Sequence, residues 1–177
     1  MTREEAVRRI GRVIDEKLMR LDLSRLALNE LPSEIVKCTY LTELYLVRNW
    51  ITSIPEAIGQ LSNLKKLKLN YNKITSIPDA VGQLSNLTWL DFSSNEITFI
   101  PETLGQMSNL TRLDLNHNQI TSIPGTVRDI EKLEILDLQG NPTPIPPELL
   151  PNKGFYKEGD VLVLFNQGTQ RIIKRFL

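Results

Sequence analysis

The 177-residue chain has one cysteine, Cys38, and one histidine, His117, so neither a disulfide pair nor a second imidazole is available. With no thiolate pair and no carboxylate cluster at ligand spacing beside His117, no metal is expected. Aromatic residues make up only 6%, which leaves the burial to aliphatic side chains. Neither sign of charge prevails: Lys plus Arg and Asp plus Glu number 21 each, so nothing pulls the chain toward nucleic acid or a membrane surface. No window approaches about 18 uninterrupted apolar residues, so no membrane-spanning helix is expected. The opening MTREEAVRRI lacks the apolar stretch of a secretory signal, and the initial Met argues against one already removed. A reducing cytoplasm is the expected compartment. Phosphate-binding and dinucleotide-binding glycine loops and the nucleophile elbow are missing too, so the reading is no enzyme and no cofactor.

What is present is a repeat. Leu18, Leu41, Leu64, Leu87, Leu110 and Leu133 recur at a constant step of 23. From Leu41 onward they open L-x-x-L-x-L-x-x-N, as in LTELYLVRN, LKKLKLNYN and LTRLDLNHN, with LTWLDFSSN as a near match. The second half repeats as ITSIPEAIGQLSN, ITSIPDAVGQLSN, ITFIPETLGQMSN and ITSIPGTVRDIEK. Leu44 and Leu46 alternate with Glu43, Tyr45 and Val47, the period of a short strand with one buried face. Asn49, Asn72, Asn95, Asn118 and Asn141 fall where that strand ends. Stacked coils turn them into a ladder whose amides satisfy backbone groups inside the turn. Apolar residues three apart in the return segment, such as Ile54, Ile58 and Leu61, suit a short 3₁₀ or α turn started by Pro55 or Pro78. The fold predicted is an α/β solenoid, curved, with a parallel sheet on its concave face.

An open solenoid end exposes core and needs a cap. Residues 1–17 provide one, as a helix with Ala6, Val7, Ile10, Val13 and Ile14 in a stripe and a capping box from Thr2 to Glu5. Residues 18–150 hold six repeats, the last truncated. In the first, Leu26 replaces the asparagine and Cys38 fills a core slot held elsewhere by Leu61 or Leu84. Residues 151–177 form a C-terminal cap or extension, with a strand at VLVLF and helical spacing in RIIKRFL; self-association through this segment is the sharper alternative.

Residues between the leucines point out of the concave wall and form four columns. The first is Arg20, Glu43, Lys66, Trp89, Arg112 and Ile135; the second is Asp22, Tyr45, Lys68, Asp91, Asp114 and Asp137. The third is Ser24, Val47, Asn70, Ser93, Asn116 and Gln139; the fourth is Arg25, Arg48, Tyr71, Ser94, His117 and Gly140. Six strands about 4.8 Å apart span about 25 Å, enough for an extended peptide, a short helix or a domain edge. Tyr45, Tyr71 and Trp89, flanked by Arg48, Arg112 and His117, are of the types enriched at binding hot spots. Lys66 and Lys68 join them, and Asp91, Asp114 and Asp137 read as a solvated acidic stripe that faces basic patches on a protein or peptide partner. Trp50 and Phe99 mark a second, apolar edge.

These repeats resemble the 23-residue leucine-rich repeats of bacterial proteins and of plant intracellular Ras-group-related proteins. The entry, EEAVRRI followed by KLMRLDLSRLALNELPSEI, looks like that of the arrays in bacterial Roco proteins, where a repeat domain precedes a GTPase. The resemblance implies a non-catalytic protein-binding scaffold or, alternatively, the regulatory arm of a Roco-type GTPase. This chain shows no phosphate-binding loop.

Overall fold

The computed structural model describes residues 2–142 and, beyond them, the backbone of 155–158 and 161–164. Helix α1 (Thr2–Glu16) lays Ala6, Ile10 and Val13 into the core at helical spacing, while Val7 stays partly exposed. Its outer face is tied by ion pairs from Glu5 to Arg8 and Arg9 and from Arg12 to Glu16. The capping box expected at Thr2 turns on a side chain outside the described residues; the Glu5 carboxylate takes the Arg8 and Arg9 guanidinium groups. At the other end Lys17 turns left-handed (φ 52). Its N–H reaches the Ile14 carbonyl at 3.4 Å and the Leu18 N–H reaches the Val13 carbonyl at 3.0 Å. This pair of bonds is the Schellman stop, here built on a lysine where glycine is usual.

Six three-residue strands follow, β1 (Arg20–Asp22), β2 (Glu43–Tyr45), β3 (Lys66–Lys68), β4 (Trp89–Asp91), β5 (Arg112–Asp114) and β6 (Ile135–Asp137). Each pairs in parallel with the next, so that Leu21, Leu44, Leu67, Leu90, Leu113 and Leu136 align in one row. The opposite side carries 3₁₀ turns, among them Glu56–Gln60, Asp79–Gln83 and Glu102–Gln106. Pro55, Pro78 and Pro101, with φ of −70°, −70° and −68°, stand immediately before them. Between sheet and turns the leucine and isoleucine rows are buried, and Phe92 fills completely a slot where neighbouring coils carry Leu69 and Leu115. Each fully buried aliphatic side chain contributes about 1.5–3 kcal/mol, and only against its own and adjacent coils.

The sheet continues past the repeats. Strand β8 (Val161–Leu164) pairs antiparallel with β6, and β7 (Phe155–Glu158) lies outside β8. The strand expected at VLVLF is present, whereas the strand that partners it was not expected from its sequence. The helical spacing of RIIKRFL lies outside the described residues.

Candidate functional site

The asparagine ladder forms as the spacing demands, and its bonds interlock. The Asn95 side-chain N–H donates to the carbonyl of its own coil, Phe92 (2.9 Å), and to that of the preceding coil, Leu69 (3.1 Å). Its Oδ1 accepts the Ile74 N–H at 3.0 Å. Asn72 and Asn118 repeat the pattern one coil away, so the Leu69 carbonyl accepts from both Asn72 and Asn95, and the Phe92 carbonyl from both Asn95 and Asn118. Asn49 serves the degenerate first coil, accepting from the Leu26 and Leu28 N–H groups. Asn141 closes the ladder on Ile120, Leu115 and Leu138.

The residue before each ladder asparagine is left-handed: Arg48 (φ 56), Tyr71 (φ 58), Ser94 (φ 54), His117 (φ 53) and Gly140 (φ 70). The fourth column is thus a row of turn residues and not strand residues, since each strand ends three residues earlier. Non-glycine residues hold this conformation because their N–H groups are pinned to the next coil, as from Arg48 to the Asn70 carbonyl and from His117 to the Gln139 carbonyl. The turn projects Arg48, Tyr71 and His117 into solvent.

The first and second columns stand as the register requires, and within them side chains cluster around the aromatics. The Arg20 guanidinium lies 4.6 Å above the Tyr45 ring, and the Tyr45 hydroxyl donates to Glu43 at 2.9 Å. That bond, with the Lys66 ammonium 3.1 Å away, holds the Glu43 carboxyl below its ordinary pKa. Arg48 covers Tyr71 at 5.1 Å. Trp89 is clasped on both sides, by the Lys68 ammonium at 3.4 Å and the Arg112 guanidinium at 4.8 Å from its ring centre. Its indole N–H donates to Asp114 Oδ2 at 2.9 Å, the oxygen that also takes the Arg112 Nε–H at 2.6 Å. Burial of Lys68 in this cluster lowers its pKa.

The acidic stripe is corrected. Asp91, Asp114 and Asp137 are 7%, 3% and 7% exposed, buried and not solvated. Asp91 and Asp137 accept the N–H of Ser93 and Gln139 at 3.0 and 3.1 Å, and side chains of the wall engage two of them, Trp89 and Arg112 on Asp114 and Asn116 on Asp137. Burial pushes the Asp91 carboxyl above its ordinary value. Trp50 and Phe99 are exposed, 57% and 49%, but in different columns, among Lys73, Glu96 and Gln119 for the one and Ser53, Ser76 and Ser122 for the other. Cys38 is buried, and that burial pushes its thiol up to about 11, which suits a core residue and not a nucleophile.

Two further rows were legible in the repeats and passed over. Asn63, Asn86 and Asn109 form a second ladder, each donating to the carbonyl 24 residues earlier at 2.8–2.9 Å. Gly59, Gly82 and Gly105 line the turns, where a Cβ on Gly82 would stand 2.5 Å from the Thr103 carbonyl oxygen. The step of 23 was the signal for both.

The model described as "Leucine rich repeat" matches residues 16–74, 39–97, 62–119 and 93–142. The chain belongs to the leucine-rich repeat family. Its array is similar to the ectodomain of the plant membrane receptor kinase GASSHO1/SCHENGEN3 from Arabidopsis thaliana, solved in complex with CASPARIAN STRIP INTEGRITY FACTOR 2. That match has 38% identity and a TM-score of 0.68, and covers 76% of this chain and 17% of that one. It is also similar to the plant peptide hormone receptor RGFR1 in complex with RGF2, at 33% identity and a TM-score of 0.61 over 64% of this chain and 19% of that one. An internalin from Listeria monocytogenes matches at 26% identity and a TM-score of 0.59, over 71% and 35%. The chain therefore spans between a sixth and about a third of the length of these neighbours. No curated protein sequence matches. Among the described residues no helix is long and apolar enough to cross a membrane, and no three His, Cys, Asp or Glu side chains gather as a metal would need.

Proposed function

We propose that this chain is a non-catalytic scaffold that binds a protein or peptide across its concave sheet. The observation that carries the reading is the cluster at Trp89, where an aromatic ring, two cations and a buried carboxylate are held together on the wall. Such preorganised Trp and Arg side chains bind with little ordering entropy left to lose. The partner-binding residues are Tyr45, Arg48, Lys66, Lys68, Tyr71, Trp89, Arg112 and His117, with Asp91 and Asp114 bracing them from below. Leucine-rich repeat domains are generally protein-interaction modules, and two of the structural neighbours were solved with peptide ligands. The reading of a Roco-type GTPase arm draws support from none of the three.

The test is capture of partners from the source cell by the unaltered chain and by a variant carrying Tyr45→Ala, Tyr71→Ala and Trp89→Ala. Hot-spot truncations cost about 2 kcal/mol or more each, so the triple variant should lose the partner while keeping its fold. A partner retained in full would remove these residues from the site.

A further inference from the structure

The three buried aspartates all lie in the last three coils, so the exposed charge of the wall is concentrated in the first three. In the first three coils the concave side carries Arg20, Arg25, Arg48, Lys66 and Lys68 against Asp22 and Glu43. Lys66 and Glu43 engage each other at 3.1 Å. Arg20, Arg25 and Arg48 are exposed, and no carboxylate among the described residues lies within ion-pair distance of them or of Lys68. At its start stands Arg9 of α1, whose guanidinium donates to the Asp22 carbonyl at 2.8 Å and is itself paired with Glu5 at 2.7 Å. In the last three coils the only Lys or Arg in the four columns is Arg112, and it is spent on Asp114 at 2.6 Å. The wall is therefore polarised along the stack, cationic over coils one to three, whereas beyond Trp89 its columns hold three buried carboxylates against Arg112 alone.

We infer that the partner segment is acidic and extended, and that it lies across the first three coils with its carboxylates on Arg20, Arg25, Arg48 and Lys68. This rests on the concave-face reading above. Three coils about 4.8 Å apart span about 10 Å, and alternate residues of an extended chain are about 6.7 Å apart, so two or three carboxylates at alternate positions match the patch. The guanidinium groups stacked on Tyr45 and Tyr71 are pre-ordered, and Arg presents a fork that fits a carboxylate bidentately. The clasped Trp89 marks the downstream border of the charged stretch.

The experiment uses two labelled octapeptides, one of alternating Glu and Ser and one of alternating Lys and Ser, with binding followed by fluorescence anisotropy. The Glu/Ser peptide should bind about tenfold or more tightly than the Lys/Ser peptide, and should weaken as salt is added. A variant with Arg20→Gln, Arg25→Gln and Arg48→Gln should lose about tenfold in that affinity at an unchanged urea midpoint, since all three side chains are exposed. Preference for the Lys/Ser peptide, equal binding of both, no Glu/Ser binding at millimolar concentration, or binding untouched by the Arg variant would each overturn the inference. The two readings separate in the capture assay. A partner lost with the aromatic variant and kept by the Arg variant leaves the concave scaffold standing and removes the acidic ligand, whereas one kept by both removes the site itself.

Discussion

Replacing Asn95 by Ala tests the physical basis of the array most directly. The side chain is 8% exposed and makes one acceptor and two main donor bonds, all to backbone groups of the coil interior. Truncation orphans the Ile74 N–H, whose desolvation costs about 1–3 kcal/mol. It also removes one of two donors from each of the Leu69 and Phe92 carbonyls, which keep Asn72 and Asn118 and lose about 0.5–1.5 kcal/mol each. The total comes to about 2–6 kcal/mol. With an m value of about 2 kcal/mol per molar, the urea midpoint should fall by about 1–3 M. Asn63→Ala is the control, because that exposed amide makes a single bond, at 2.8 Å to the Thr39 carbonyl, and should cost about 1 kcal/mol or less. Unfolding followed by circular dichroism gives both numbers. Equal losses at the two positions, or a loss at Asn95 under about 1 kcal/mol with m unchanged, would refute the shared-carbonyl account. Because Asn72 and Asn95 share the Leu69 carbonyl, their double variant should also depart from additivity.

Gly82→Ala should destabilise by about 1–3 kcal/mol, since the new Cβ meets backbone atoms of Thr103 at 2.5 and 2.8 Å. Gly11→Ala, with nothing within 4 Å of its Cβ on α1, should stabilise by up to about 1 kcal/mol, and thermal melts distinguish the two signs. The pH dependence of stability should carry the mark of Asp91, whose carboxyl is raised by burial. The folded state then holds a proton that the unfolded chain has already released, so this group's contribution declines as pH rises from the ordinary carboxylate range to its raised value. Asp91→Asn, which keeps an acceptor for the Ser93 N–H and hydroxyl, should flatten that decline. A stability profile identical to that of the unaltered chain would contradict the burial.

Strict recurrence made the coil readable from the chain alone. A leucine that returns every 23 residues has one environment in every copy, so Leu44 and Leu67 had to share a row and Asn72 and Asn95 a ladder. Proline before each turn and asparagine after each strand are local requirements of the backbone, and local requirements are written in local sequence. The columns of the wall were equally legible, because register follows from the repeat. Which way a polar side chain in a column turns was not. Asp91 and Lys68 occupy the same column, yet the carboxylate is buried and accepts a backbone N–H two residues on, while the ammonium lies across Trp89. That choice depends on the length of the side chain and on donors brought in from neighbouring coils, such as the Trp89 indole that finds Asp114. The left-handed row at Arg48, Tyr71 and His117 was hidden for the same reason, since these residues carry no glycine signature and are held by bonds from the adjacent coil. The chain by itself determined the coil, its step and the membership of each row; only the stacking of coils decided which charges are buried and which remain for a partner.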